Sequence, residues 1–438
     1  LMRREICHWR CSIWCPRRVP GLPTLAPVSA VPAALWVDEA ERAMTHPNIL
    51  IVGAGVAGLS LATALGREGF RVTVIDGAKR PPPPTADREI DDWDLRVSAL
   101  TPASIDFLER LGAWSAIPGD RTGRYTGMKV WDGHGSGRIG FDASEVNAPY
   151  LGHIVENRLT LQALLQCAET SPGVEVRWEC AMADMTLTDS GWEIHCEDGS
   201  TFCAPLTVGA DGARSRVREW AGMPTRDWSY EQSAIVGTVT LASHHQDACW
   251  QAFLDTGPLA LLPLADADKV AIVWSLDELQ HEPIASLPDE AFVSALNRAL
   301  GDDGPRAEAV GPRASFPLRQ SHAVDYIDEG LVLVADAAHS LHPLAGQGIN
   351  LGLSDVRVLA EELTAGKAKG LAIDSPVALK RYQRQRKTEN LAMMVAMEGF
   401  KRGFGSRNPL TVIARNIGLG LVDQQAWLKR WFMGQALS

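Results

Sequence analysis

No apolar run in the 438-residue chain reaches the ~18 residues of a membrane-spanning helix. Cysteine is scarce: eight residues, three of them in the N-terminal stretch CHWRCSIWC. The other five (Cys167, Cys180, Cys196, Cys203, Cys249) are scattered, and none forms a CxxC pair. Neither a zinc ribbon nor a disulfide framework is therefore indicated, and the expectation is a cytoplasmic protein with reduced thiols. Basic excess is also missing. Lys and Arg total 42 against 53 Asp and Glu, a net charge of −11. That argues against nucleic-acid binding, which leaves a basic footprint, and against simple electrostatic adhesion to an anionic membrane. A GxSxG nucleophile elbow is absent, as is any internal repeat of fixed period.

What is present is ordinary globular composition, with 46% hydrophobic and 22% charged residues, long enough for two or three domains. The first 43 residues carry Trp, Cys, Arg and Pro without periodicity and lack the apolar core of a signal peptide. The functional chain is expected to start at Met44, with residues 1–43 a non-native or disordered extension. The competing reading, a metal cluster of Cys7, His8, Cys11 and Cys15, has no second ligand pair to support it.

Residues 49–76 read ILIVGAGVAGLSLATALGREGFRVTVID. An apolar β-branched strand leads into Gly53-x-Gly55-x-x-Gly58, then a helix with a regular apolar face, then a second strand ending at Asp76. Gly53 permits the tight turn, Gly55 lets a pyrophosphate approach the backbone, and Gly58 lets helix and strand pack closely. The helix N-terminus offers free N–H groups to phosphates. Asp76 stands where a carboxylate can bond ribose hydroxyls. A lone GxGxxG is weak; within strand–turn–helix–strand with a terminal acid it is strong. The pattern does not separate FAD from NAD.

Two later stretches follow the same logic. In 192–218, WEIHCEDGSTFCAPLTVGADGARSRVR, a hairpin and an apolar strand lead to Asp211-Gly212, and Ser215 can open a helix. In 331–353, LVLVADAAHSLHPLAGQGINLGL, a buried strand ends at Asp336, and Gly346 and Gly348 frame the turn before a helix over 349–363. A metal at His339 and His342 lacks a third ligand nearby in sequence, and a catalytic His/Asp pair lacks its nucleophile. The helix N-terminus can stabilise negative charge that develops on a ligand, and a flavin ring reduced to its anion is one such ligand. The histidines are read as structural or as lining the edge of that ligand.

GAGVAGLSLA, GADGARSRVR and ADAAHSLHPLAGQGINLGL, in this order and spacing, resemble the class A FAD-dependent aromatic hydroxylases of the para-hydroxybenzoate hydroxylase fold. DLRVSALTPASIDFLERLGAW, LGHIVENRLTLQALL and YQRQRKTENLAMMVAMEGF resemble the ubiquinone-biosynthesis hydroxylase subfamily, and most of all its octaprenylphenol-hydroxylating branch. The resemblance covers residues 46–435. It implies that Gly53, Gly55, Gly58 and Asp76 hold the ADP half of FAD, with Asp76 where the family usually has Glu. Arg96 matches the arginine that reaches the flavin, and Asp211 and Gly212 match a motif associated with FAD and with the reductant's pyrophosphate. Asp336 matches the acid that bonds the ribityl chain, preceded here by Ala335 where the family often has Gly. Pro343, Gly346, Gly348, Ile349 and Asn350 would run along the isoalloxazine.

The implied activity is hydroxylation of a polyprenylated phenol ring by a flavin C4a-hydroperoxide in ubiquinone biosynthesis, with O2 as oxidant and NAD(P)H as transient reductant. The resemblance names no catalytic base. Peripheral membrane contact, or assembly with other ubiquinone-biosynthesis proteins, would suit the lipid substrate. Two alternatives remain at this level: a related hydroxylase of another small aromatic compound, and a non-catalytic flavin-fold binder of a prenylated partner. The absence of a WxWxIP signature counts against halogenation.

The expected architecture is α/β (α+β): a discontinuous Rossmann-like FAD-binding domain (44–120, 150–225, 315–400), an interleaved antiparallel-sheet substrate domain (121–149, 226–314), and C-terminal helices (401–438). Trp131, Trp250 and Trp274 are read as core in preference to pocket lining. PPPP at 81–84 and EIDDWD at 89–94 read as an exposed, solvated loop. Residues 410–438 place Ile413, Ile417, Leu421, Leu428 and Trp431 on one helical stripe flanked by Arg415, Lys429 and Arg430, which suits packing on the protein or a membrane-facing surface. If this stripe contacts lipid, deleting 410–438 abolishes co-sedimentation with liposomes; unchanged co-sedimentation assigns it to packing.

Overall fold

The computed structural model describes residues 47–84, 89–340 except 134 and 136, and 348–405. Residues 1–43, Met44, His342, Pro343, Gly346 and the stripe at 410–438 lie outside the described residues.

The strand Ile49–Val52 is buried at all four positions, which the β-branched run ILIV suits. It pairs in parallel with Val72–Ile75 on one side and Leu206–Gly209 on the other. Val174–Arg177 extends the sheet past the second strand, and Leu331–Leu333 extends it past the third. A short antiparallel strand, Ile327–Asp328, closes that edge. The six-stranded order places the 327–328, 331–333, 206–209, 49–52, 72–75 and 174–177 strands side by side. Helices Val56–Arg67, Asn157–Thr170 and Gly348–Ala368 contribute to the core around this sheet.

The second large layer is an eight-stranded sheet. Two strands of 17 residues, Thr225–Leu241 and Ala307–Ala323, pair antiparallel along their length. The strands 127–132 and 138–142 join its far edge, and one neighbouring pair, 127–132 with 248–254, is parallel. The boundary expected at 314/315 falls inside the continuous strand Ala307–Ala323. Trp131 and Trp274 pack in the core of this sheet, and the partly buried Trp250 packs against it. After Leu333 the chain leaves the parallel sheet through a turn at Ala335–Ala337. It then enters the edge of the large sheet as His339–Ser340, which pairs with Ser321 and His322. That turn is a junction between the two sheets.

Two expectations are corrected. Cys180 and Cys196 are joined as a disulfide, with Cα atoms 5.6 Å apart. A spacing of 16 residues with no CxxC gives no sign of it; the strands Met182–Thr188 and Gly191–Cys196 double back and bring the two together. The acidic stretch 89–94 is not simply a solvated loop. Ile90–Asp92 forms a 3-10 turn, and Trp93 is buried under the Arg121 guanidinium, 4.5 Å from its ring centre. Among the described residues no helix is long and apolar enough to cross a membrane.

Candidate active site

Parallel strands collect their following loops at one edge of the sheet, and ligands bind there, beyond the strands' carboxyl ends. Gly53 follows the first strand, Asp76 the second, Asp211 and Gly212 the 206–209 strand, and Asp336 the 331–333 strand. These strands are adjacent, so the four loops span three inter-strand spacings, roughly 14 Å.

The glycines divide by role. Gly53 has φ +108°, and a Cβ there would lie 2.4 Å from the Ala210 carbonyl oxygen. At Gly58 a Cβ would lie 1.9 Å from the Gly53 carbonyl oxygen, so the helix can rest on the turn only with hydrogen at that position. At Gly55, which caps the helix Val56–Arg67, a Cβ would meet nothing within 4 Å. Gly53 and Gly58 are thus required by the protein's own packing. Gly55 borders open space at a helix N-terminus, the shape and polarity that a pyrophosphate needs.

Asp76 accepts hydrogen bonds from the backbone N–H of Ala54 (2.7 Å) and of Ala78 (2.8 Å). One acid therefore braces the glycine turn and its own loop. Each oxygen keeps a second lone pair for a hydroxyl donor. Asp211 accepts from Ser215 Oγ (2.6 Å) and the Val217 N–H (3.1 Å), holding the start of the short helix Arg216–Trp220. Burial raises its carboxyl above the usual range against those bonds. Gly212, at φ +81°, borders open space.

Asp336 is reachable by solvent yet walled by protein, as in a cleft. Desolvation raises its carboxyl, while the His339 and Arg96 charges oppose this. Ala335 before it has φ +52°, a left-handed conformation that costs an L-residue about 1–2 kcal/mol. A glycine would adopt this conformation without that cost. The site helix starts at Gly348, which faces open space, while Ile349 packs against the core. Asn350 uses its side chain to fasten the helix to the strand Val97–Leu100: it accepts from the Thr101 N–H (3.1 Å) and donates to the Ala99 oxygen (2.7 Å).

Arg96 reaches the same region from the other direction. Its guanidinium lies 5.7 Å from the centre of the half-exposed Phe316 ring. Its backbone N–H donates to Asp94 (3.1 Å), which also accepts from the Arg158 N–H (3.0 Å). Behind them the fully buried Glu156 pairs with Arg121 (2.7 Å) and Arg158 (2.9 Å) and accepts from the Asp94 N–H (2.8 Å). The acidic stretch is a bracket that presents Arg96.

Sequence reasoning missed the network under the Asp336 turn. Asp355, fully buried, accepts from the Ala335 N–H (3.0 Å), His339 Nε2 (2.6 Å), Arg386 Nε (2.7 Å) and Asn390 Nδ2 (3.2 Å). Burial alone would raise its carboxyl; the His339 and Arg386 charges and hydrogen bonds outweigh this and hold it at about 2. Asn390 also donates to the Tyr326 hydroxyl (3.3 Å), which lies 2.9 Å from His322 Nε2. Burial pushes His322 down to about 4, with the His339 charge beside it adding to the shift. His339 is structural: buried and bonded to Asp355, it does not line an open edge.

Two measurements follow from this geometry. Gly55→Val should leave the melt within about 1 kcal/mol of wild type and weaken FAD binding at least ~10-fold. Gly58→Ala should instead cost about 3 kcal/mol or more through the clash with Gly53. Wild-type FAD affinity in Gly55→Val would show that the open space at Gly55 is not the pyrophosphate site. Asp355→Asn should destabilise by about 3–5 kcal/mol at neutral pH, because Arg386 stays buried without its counter-charge. The folded Asp355 carboxyl lies below its ordinary 3.8, so its contribution is full above that value and lost as pH falls through about 2. Urea melts should show the wild-type advantage shrinking by roughly 2–3 kcal/mol between about pH 5 and pH 2.

The FAD binding domain family matches residues 47–395. The chain is 38% identical to 3-demethoxyubiquinol 3-hydroxylase of Escherichia coli over 395 residues, 89% of this chain and 98% of that protein. It is 36% identical to ubiquinone hydroxylase UbiL of Rhodospirillum rubrum, covering 89% of each. The fold is shared with p-nitrophenol 4-monooxygenase PnpA of Pseudomonas putida, with TM-score 0.70, 19% identity, and coverage of 90% of this chain and 98% of that one. HpxO of Klebsiella pneumoniae, solved with FAD, gives TM-score 0.67 at 16% identity over 90% of this chain and 99% of that one. The open Gly55 turn, the Asp76 acceptor and the Gly348 helix end suit that cofactor. This chain belongs to the FAD binding domain family and is an FAD-dependent monooxygenase of the ubiquinone-biosynthesis hydroxylase group.

Proposed function

We propose that the chain hydroxylates the aromatic ring of a polyprenylated phenol on the route to ubiquinone, with NAD(P)H as transient reductant. The observation that carries this reading is the near end-to-end match to a hydroxylase of a ubiquinone precursor, 98% of whose length is covered. A polyprenyl tail dissolves in lipid and not in water, so the reading includes peripheral contact with a membrane or with neighbouring enzymes of the route.

Reduced FAD supplies the oxygen-activating chemistry when bound. The protein's part is binding and positioning. Gly55 and the N-terminus of the helix Val56–Arg67 take the pyrophosphate, and Asp76 takes ribose hydroxyls. Asp211 and Gly212 set the neighbouring loop. Asp336 accepts from the ribityl chain. Gly348, Ile349 and Asn350 line the ring, and the helix N-terminus favours negative charge there. Arg96 adds a positive charge on the cleft side, and Phe316 offers a ring face next to it. Trp131 and Trp274 belong to the core of the large sheet, which walls the substrate side and keeps water away.

A visible spectrum of the purified protein, followed by anaerobic NADH or NADPH with and without a prenylphenol, tests the proposal. Flavin bands that bleach faster with the phenol, followed by a hydroxylated product in air, are the expected result. Bleaching and product with a tail-less nitrophenol only would reassign the substrate. Flavin that neither nucleotide bleaches would overturn NAD(P)H as the direct donor.

A further inference from the structure

The Cys180–Cys196 disulfide has no part in the site described above, yet it is tied to it through the backbone. The Cys180 N–H donates to the Asp76 carbonyl (2.9 Å), and the Glu179 N–H donates to the Ala78 carbonyl (2.9 Å). Residues 179 and 180 therefore back the turn that carries Asp76. On the other side of the bridge, the Glu197 N–H donates to the Ala181 carbonyl (2.8 Å). Arg216, from the helix that Asp211 holds, donates to the Met182 carbonyl (3.0 Å). The segment 179–182 thus runs from the Asp76 turn to the Asp211 helix.

This backing is held against a local preference. Glu179 has φ +59°, a left-handed conformation that a non-glycine residue keeps only when its surroundings impose it. The bridge to Cys196 is one such constraint, and it lies just under the surface. Cys180 is 3% and Cys196 5% exposed, but Glu179 and the turn Glu197–Asp198–Gly199 beside them are exposed. Opening that short turn would bring both sulfurs to solvent. The chain has a large core, unlike the small secreted domains that depend on disulfides to fold.

We propose that Cys180 and Cys196 form a reversible dithiol–disulfide site that sets how firmly the chain holds the adenosine end of its cofactor, with a low-molecular-weight disulfide of the glutathione class as co-reactant. This rests on the reading that Asp76 faces the adenosine ribose. In closing, two S–H bonds break and one S–S bond forms in the protein. The glutathione disulfide accepts the two electrons and both protons and leaves as two thiols, by way of a mixed disulfide. In opening, two glutathione thiols are oxidised and the protein dithiol is restored. With the bridge open, Glu179 relaxes toward an ordinary conformation and the Asp76 turn loses its backing.

The test uses the full-length FAD-loaded protein equilibrated in oxidised or reduced glutathione. Alkylation with iodoacetamide and peptide mass analysis report the two cysteines. Fluorescence of released FAD reports affinity, and trypsin cleavage after Lys79, in the Asp76 loop, reports the turn. Cys180 and Cys196 should be protected in oxidised buffer and both alkylated in reduced buffer. If the open form is binding-competent one-fifth to one-tenth of the time, FAD Kd rises about five- to tenfold on reduction, and Lys79 cleavage accelerates in parallel. The double variant Cys180→Ser/Cys196→Ser should behave as the reduced protein in both buffers, while Cys167→Ser/Cys203→Ser should still switch. Thiols that stay open in oxidised glutathione overturn the proposal, as do FAD affinity and cleavage that are equal in both states. A chain whose Lys79 cleavage switches but which binds no FAD in either state supports the redox site and overturns the cofactor reading instead.

Discussion

One buried carboxylate holds the two sheets to a common geometry. Desolvating Asp355 is costly, and the cost is offset only because four donors converge on it. Those donors come from different places: the turn that leaves the parallel sheet, the short strand that enters the large sheet, and the helix Pro376–Gly405. A carboxylate with both oxygens saturated tolerates little displacement of any partner. The strained backbone at Ala335 persists because its N–H is one of those donors. The direction in which Asp336 points is therefore decided beneath the cleft.

A second buried acid does the same for the opposite wall. Glu156 holds Arg121, Arg158 and the backbone of Asp94, and through Asp94 the loop ending in Arg96. At the edge of the parallel sheet the glycine turn needs no ionic support. Its shape follows from Gly53 and Gly58, which have no room for a side chain, and from the backbone donors that Asp76 takes up. The glycine turn is thus fixed by steric exclusion, and the cleft edges by buried charge.

The division explains what was legible in the sequence. Residues 49–76 declare themselves because strand, turn, helix and acid are contiguous, so a local pattern carries the whole unit. The same is true of the 331–333 strand with the acid turn after it and of the hairpin around Asp198 and Gly199. Asp355, Arg386 and Asn390 do not declare themselves: each reads as an ordinary polar residue on a helix, and only folding brings 355 to 386 and 390. Trp93 was hidden among acids that suggest solvent, and its burial depends on Arg121. The 314/315 boundary lies inside a 17-residue strand that serves the large sheet along its length. Ring position on the substrate has no local signature in the chain.

The Asn350 contact has a consequence for synthesis. Its side chain joins the helix start to Thr101, 249 residues earlier, and to Ala99. At a translation rate of ~5–20 residues per second, roughly 10–50 seconds separate the emergence of these partners from the ribosome. During that interval the 49–76 unit can form its own turn, while the strand before Thr101 waits with its capping partner still unmade. The wall of the cleft that Arg96 enters is then completed near the end of translation, so a chain truncated before residue 350 would carry the glycine turn without the helix that fastens to Ala99 and Thr101.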